Sequence, residues 1–214
     1  MASKYVEVFP AKALFDVFKI ECTSIQNQRR CLEFPFNLKF KIIVDRSEEF
    51  QGPGIYWVTY EGNLIYIGSY SSEKPNIVHD RWVKHIQTFT NRGCRLGFGA
   101  LTKKERIPPK LKVFYDRDGY RYCDTGTVTS PERLAFANEN FDSFKAHNDT
   151  RLIKNFDFHY VRIDTPVVTK TVEACLIAEF NPICNSTRSK GNKCDNVVFD
   201  KLKELIDRHP LYRQ

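Results

Sequence analysis

Gly54-Ile55-Tyr56-Trp57-Val58-Thr59-Tyr60-Glu61-Gly62-Asn63-Leu64-Ile65-Tyr66-Ile67-Gly68 decides the reading of this chain. Two runs rich in aromatic and β-branched side chains, Ile55 to Tyr60 and Leu64 to Ile67, flank Glu61-Gly62-Asn63. Such side chains suit a pleated, half-buried surface, and a Gly-Asn pair supplies the backbone freedom of a tight turn. The segment therefore predicts a β-hairpin. Gly52-Pro53-Gly54 breaks the chain just before its first strand.

Working outward, residues 77–90 predict a helix with Ile77, Val78, Trp82, Val83, Ile86 and Phe89 near one face, capped by Asn76 or the serines before it. Residues 11–30 also predict a helix, because Leu14, Phe15, Val17, Phe18 and Ile20 cluster at roughly helical intervals. Phe36 to Val44 alternates apolar and polar residues and predicts a strand or edge ribbon. Beyond the hairpin, Lys110 to Tyr115 reads as a short strand and Tyr120 to Thr129 as a strand or loop. Ser130-Pro131-Glu132-Arg133 carries a cap, a first-turn proline and an acid that suits the helix dipole. Phe156 to Ile163 predicts a strand, and Thr165-Pro166 opens a helix that Asn181-Pro182 ends near Phe180. A basic loop, Ser186 to Lys193, leads to an amphipathic helix from Val197 to Arg208. These elements predict an α/β (α+β) fold: a small antiparallel central sheet flanked by helices. One domain is expected over residues 1–214, with its core at about 50–90 and 156–186. A 1–50 extension, a 91–155 insertion and a C-terminal helix at 194–214 surround that core.

The composition bounds the function. The chain has 214 residues, 42% of them hydrophobic, which is enough for a packed core. Its 33 Lys and Arg against 26 Asp and Glu give a net charge of +7, which favours a polyanionic partner. No stretch approaches the ~18 apolar residues of a membrane span, and no targeting segment is evident, so a soluble, cytoplasmic protein is expected. Seven cysteines, an odd number, point to reduced thiols. No Cys-x-x-Cys pair offers a structural zinc site, and Cys184 and Cys194 read as bystanders.

The two tripeptides Gly54-Ile55-Tyr56 and Tyr66-Ile67-Gly68 stand on neighbouring strands with their tyrosines ten positions apart. In this the chain resembles the GIY-YIG nuclease superfamily. Arg81-Trp82-Val83-Lys84-His85 resembles that family's arginine helix, with Arg81 and His85 four apart and expected on one face. Glu173, followed twelve residues later by Asn185, resembles its last helix, where a glutamate holds the metal and an asparagine closes the segment. The resemblance implies a metal-dependent endodeoxyribonuclease with Tyr56, Tyr66, Arg81, His85, Glu173 and Asn185 as site residues and Glu173 as metal ligand.

The chemistry of each side chain can be weighed separately. Phosphodiester hydrolysis needs an in-line nucleophile, charge neutralisation on the phosphate and help for the leaving oxygen. Glu173 shares a helical stripe with Ile177 and Phe180, and a carboxylate on an apolar face must be paired, hydrogen-bonded or bound to metal. Carboxylate oxygen with few acids nearby suits Mg²⁺, or another divalent cation such as Mn²⁺. The alternative is a glutamate placed near the helix start by the dipole. Arg81 suits a phosphate grip, or is a solvated helix arginine. His85 serves as a proton relay, or is a surface histidine beside Trp82. Tyr56 and Tyr66 either orient water, act as base, or simply pack the sheet. A phenolate base needs nearby cations to lower a pKa near 10, and Tyr56 is expected to be the water-activating member and Tyr66 the positioning one. Asn185 ties the helix end to the hairpin, or is a plain loop residue.

Two basic segments are expected to face double-stranded DNA. Residues 93–112 hold six basic residues and one acid, among them Arg95, Lys103, Lys104 and Arg106. The loop Ser186 to Lys193 holds Arg188, Lys190 and Lys193 without an acid. Basic loops of this kind mostly contact phosphate, when they are not merely solvated. The long additions and the lack of an appended DNA-binding region look most like the family's type II restriction endonuclease branch. That implies a homodimer cutting a short palindromic site, since one active site cuts one strand. A structure-specific or phage-encoded nuclease, and a non-catalytic nucleic-acid-binding protein of the same fold, are the alternatives.

Overall fold

A computed structural model describes residues 7–21, 36–44, 50–71, 77–90, 131–147, 149–163, 166–185 and 197–208. The segments expected as strands at 110–115 and 120–129, the capping Ser130, and the basic segments 93–112 and 186–193 lie outside them. The chain forms two compact units: one from Met1–Phe15, Ile42–Trp82 and Ile153–Gln214, the other from Asp16–Lys41 and Val83–Leu152. The expected core segments 50–90 and 156–186 fall in the first unit, apart from residues 83–90.

The first unit is built on a four-stranded antiparallel sheet. Its strands are β1 (Glu7–Pro10), β4 (Gly54–Tyr60), β5 (Asn63–Tyr70) and β6 (Phe156–Arg162), in the spatial order β1-β6-β4-β5. The hairpin forms where the sequence puts it. Tyr60 pairs with Asn63 across a two-residue turn in which Glu61 and Gly62 have φ of 52° and 80°. Both values are positive, as the right-handed twist of a tight hairpin demands. Glu61 is held in that unfavourable region by Asn155, whose carbonyl accepts the Glu61 N–H at 2.9 Å and whose amide donates to the Glu61 carboxylate at 2.7 Å.

Every residue of β4 is buried, because the strand is central and covered on both faces. Beneath one face, Ile55, Trp57, Ile67 and Val161 pack on Val172, Leu176 and Ile177 of a helix at Pro166–Phe180, and on Leu202 and Ile206 of a last helix at Val197–Arg208. On the other face Trp82 stacks on Phe158 at 4.7 Å and meets Phe50 at 5.6 Å, Tyr160 at 6.3 Å and Tyr56 at 6.4 Å. Burying one such aromatic contributes about 1.5–3 kcal/mol, so Trp82 anchors this layer.

The Pro166–Phe180 helix ends as expected. Asn181 takes a left-handed φ of 45°, its N–H bonds to Ile177 C=O at 2.9 Å, and Pro182 follows. The helix expected over residues 11–30 is not formed over residues 15–21, and residues 22–30 lie outside the described residues. Ala11–Leu14 makes a single turn, α1, and Phe15–Glu21 then runs as strand β2. Phe15 and Val17 are buried and Asp16 is exposed, a period of two that the crowding of apolar residues at 14–20 concealed.

In the second unit β2 pairs with β3 (Phe36–Ile42), the strand expected there. Asp16 and Val17 are tied to Thr150, whose hydroxyl donates to the Asp16 carboxylate at 3.0 Å and accepts the Val17 N–H at 3.4 Å. Helix α2 (Val83–Phe89) follows a π-helical turn at Val78–Trp82, and α3 (Pro131–Glu139) begins at its first-turn proline. Phe89 meets Phe136 edge-on at 6.2 Å, and the Arg133 guanidinium lies 5.3 Å from the Phe89 centroid. A short helix α4 (Phe141–Lys145) completes the unit. The helices at Pro166–Phe180 and Val197–Arg208 are α5 and α6. Among the described residues no helix is long and apolar enough to cross a membrane.

Candidate active site

The glycines of the two tripeptides each make room for a tyrosine ring. Tyr56 is 2% exposed and stands opposite Gly68 in the β4–β5 register. A Cβ on Gly68 would lie 2.5 Å from the Tyr56 ring and hydroxyl, so only glycine lets the tyrosine lie flat across the neighbouring strand. Gly54 plays the same part for Tyr160, whose ring atoms come within 2.6 Å of its would-be Cβ. Gly68→Ala is expected to push Tyr56 out of its seat and destabilise the fold by about 1–3 kcal/mol, read as a lower urea midpoint.

Tyr66 follows a register shift near Val58/Thr59, where Ile65 is the extra residue of a bulge. Bulges re-aim the adjacent side chain, and here Tyr66 comes 6.0 Å from Tyr56 between ring centroids, with the hydroxyls hydrogen-bonded. Tyr66 is half-buried on the edge strand. A base role for Tyr56 needs cations that outweigh its surroundings. Burial raises its pKa well above the usual value, Tyr66 and Glu173 raise it further, and only Arg81 opposes them. These side chains alone keep Tyr56 protonated at neutral pH.

Glu173 reaches the same edge from α5. Its carboxylate accepts the Ser69 hydroxyl at 2.5 Å, and the Ser69 backbone N–H also bonds to it. Burial raises the Glu173 pKa, against the pull of Ser69, Arg81 and Lys170. Arg81 projects from the π-helical turn with its side chain 54% exposed and a loose pairing to Asp80 at 3.6 Å. Because β5 is the sheet edge, groups from both layers meet there: Tyr66 and Arg81 from the Trp82 side, Ser69 and Glu173 from the helical side. The carboxylate answers the question of what a charge does on an apolar helix stripe. It is hydrogen-bonded at the rim of the core.

Asn185 ties the exit of α5 to the hairpin, the first of the two readings the sequence offers. Its side-chain oxygen accepts the Ile67 N–H at 2.9 Å and its amide donates to the Ile67 C=O at 2.7 Å. Cys184 adds a backbone bond to Ile65 C=O at 2.9 Å. The segment thus closes part of the open edge of β5. Asn185→Ala is expected to cost about 1–2 kcal/mol, since two ladder groups lose their partner. Asn185→Asp should not restore it, because a carboxylate cannot donate to Ile67 C=O; paired urea titrations check both.

Arg81 lies in the π-helical turn at Val78–Trp82 and is exposed, whereas His85, expected as a proton relay or a surface histidine, is 6% exposed. His85 belongs to the second unit and stacks on Phe89 at 5.6 Å and 13°. The DNA-facing residues Arg95, Lys103, Lys104, Arg106, Arg188, Lys190 and Lys193 lie outside the described residues. The sequence reading missed Ser69. Strand alternation held the clue, since Ser69 faces Ile55 on the side that α5 covers.

Among the described residues no three or more His, Cys, Asp or Glu side chains gather to hold a metal. Glu173 would offer a cation a single carboxylate, one oxygen of which, Oε2, accepts the Ser69 hydroxyl. That donor set suits Mg²⁺ or Mn²⁺, ions that keep most of their waters when one or two carboxylates bind them. No protein-family model, no curated protein and no solved structure matches this chain.

Proposed function

We propose that this chain is a divalent-cation-dependent endonuclease of the GIY-YIG kind that hydrolyses DNA phosphodiester bonds. The observation that carries the reading is the meeting of Tyr56, Tyr66, Arg81 and Glu173 at one edge of the hairpin. Few structural needs bring an exposed arginine, a half-buried carboxylate and two linked phenols together, whereas a phosphodiesterase can use all of them. Arg81 grips the non-bridging phosphate oxygens with its planar fork. The protonated Tyr56 donates to Tyr66, and Tyr66, at the rim, orients the attacking water. Glu173 would hold Mg²⁺ or Mn²⁺, which would supply charge neutralisation and a more acidic water. His85, buried against Phe89, takes no step in this scheme.

The specific form proposed is a type II restriction endonuclease acting on double-stranded DNA as a homodimer. The net charge of +7 supports a polyanionic substrate, and two protomers would cut the two strands of a palindrome. Digestion of several unrelated plasmids with the purified protein and Mg²⁺ tests this. Discrete bands whose number varies with plasmid sequence are expected. A smear from every plasmid would retain a nuclease but remove the restriction reading.

A further inference from the structure

The turn that leads into β4 carries an arginine. Gly52 has a φ of +89°, and a Cβ placed there would lie 3.2 Å from Arg162 Nε and 3.4 Å from Nη2. The guanidinium thus beds along the bare backbone of Gly52. The Tyr160 hydroxyl donates to Gly52 C=O at 2.8 Å, and the Ile163 N–H donates to Pro53 C=O at 2.8 Å. The end of β6 and the residue after it therefore fasten this turn and hold the arginine in place.

Register puts Arg162 on the face that carries Tyr56. Gly54 stands opposite Arg162 and Tyr56 opposite Tyr160, and residues two apart on a strand share a face. Two strand steps of about 3.4 Å and one strand spacing of about 4.8 Å place the Cα atoms of Arg162 and Tyr56 roughly 8 Å apart. Arg162 is exposed, and among the described residues no carboxylate forms an ion pair with it. Nor does a phenolate neutralise it. The Tyr160 phenol is pushed up to about 12, chiefly by burial, with Arg162 pulling against it. An exposed guanidinium laid against Gly52 and, among the described residues, without an ion pair gives up less side-chain freedom when it binds an anion than a wholly free one does.

We infer that Arg162 is a second phosphate clamp, holding a DNA backbone phosphate next to the one gripped by Arg81. The inference rests on the nuclease reading and adds the direction in which the DNA strand leaves the site, toward the Gly52 turn. Phosphates of one strand advance about 3.4 Å per nucleotide along the duplex axis, so a neighbouring phosphate lies within an arginine's reach of Tyr56.

Binding of a duplex oligonucleotide by the Glu173→Gln protein, which leaves the DNA uncut, tests the clamp between 50 and 200 mM salt. Adding Arg162→Gln, which keeps a polar side chain at this position but removes the charge, is expected to lower the slope of log K against log salt by about 0.9. Arg162→Lys should restore the slope, and Lys201→Ala, an exposed charge on α6, should leave it unchanged. Arg162→Ala serves as a second neutral variant, with thermal melts checking that each variant is folded. An unchanged slope in both neutral variants, alongside cleavage by the unaltered protein, overturns the clamp and leaves the nuclease standing. Absence of both binding and cleavage in the unaltered protein overturns the two together.

Discussion

Glu173→Gln is expected to lower cleavage by at least about a hundred-fold while leaving the protein folded and able to bind DNA. The amide keeps an oxygen for Ser69 but loses the negative charge that holds the cation. Stability should move the other way. The folded state raises the Glu173 pKa, chiefly by burial, so it favours the protonated carboxyl more than the unfolded chain does. That contribution is present below the unfolded value and is lost as pH rises through the folded one, leaving the wild type to carry a half-buried charge at neutral pH. The Gln variant should therefore melt at or above the wild-type temperature at pH 7–8, with the gap closing as pH falls into the usual carboxylate range near 4. A loss of function with a gain in stability separates a functional carboxylate from a structural one. Melting curves across that range, run beside plasmid cleavage, would expose a structural role if the variant proved the less stable.

Arg81→Ala should reduce kcat/KM by about 10²–10³, the usual loss when one preorganised partner of the transition-state charge is removed. Arg81→Lys should recover only a part, because an ammonium lacks the two-pronged geometry that matches phosphate oxygens. The fold should hardly notice. The side chain is 54% exposed and its contact with Asp80 is 3.6 Å, so the change in unfolding free energy should stay within about 0.5 kcal/mol. Cleavage at the wild-type rate by the alanine variant would remove Arg81 from the site.

The hairpin was legible in the sequence because everything that specifies it is local. The strand-forming runs, the turn and the two glycines all fall within fifteen residues, Gly54 to Gly68. Helices α5 and α6 were legible for the same reason, through their proline, asparagine and apolar spacing. Strand β2 was not, since its partner β3 lies across the intervening residues 22–35 and the apolar cluster at 14–20 fits a helix as well as a strand. Ser69 gains its meaning only when Glu173 arrives from 104 positions away. The π-helical turn at Val78–Trp82 leaves no mark in apolar spacing. The state of Tyr56 depends on burial under Trp82 and on Glu173 beside it, and neither is visible from a tyrosine on a strand. Residue types reveal which groups are available, and long-range packing decides which of them meet and in what protonation state.

The central claim is that Tyr56, Tyr66, Arg81 and Glu173 form one cation-dependent phosphodiesterase site. The most direct measurement is the time course of supercoiled plasmid mixed with the purified, unaltered chain in EDTA and then started with excess Mg²⁺. Intact plasmid before the addition, and nicked and linear DNA accumulating after it, is the predicted result. Plasmid that stays supercoiled after Mg²⁺ and after Mn²⁺, or is cut equally well in EDTA, would contradict it.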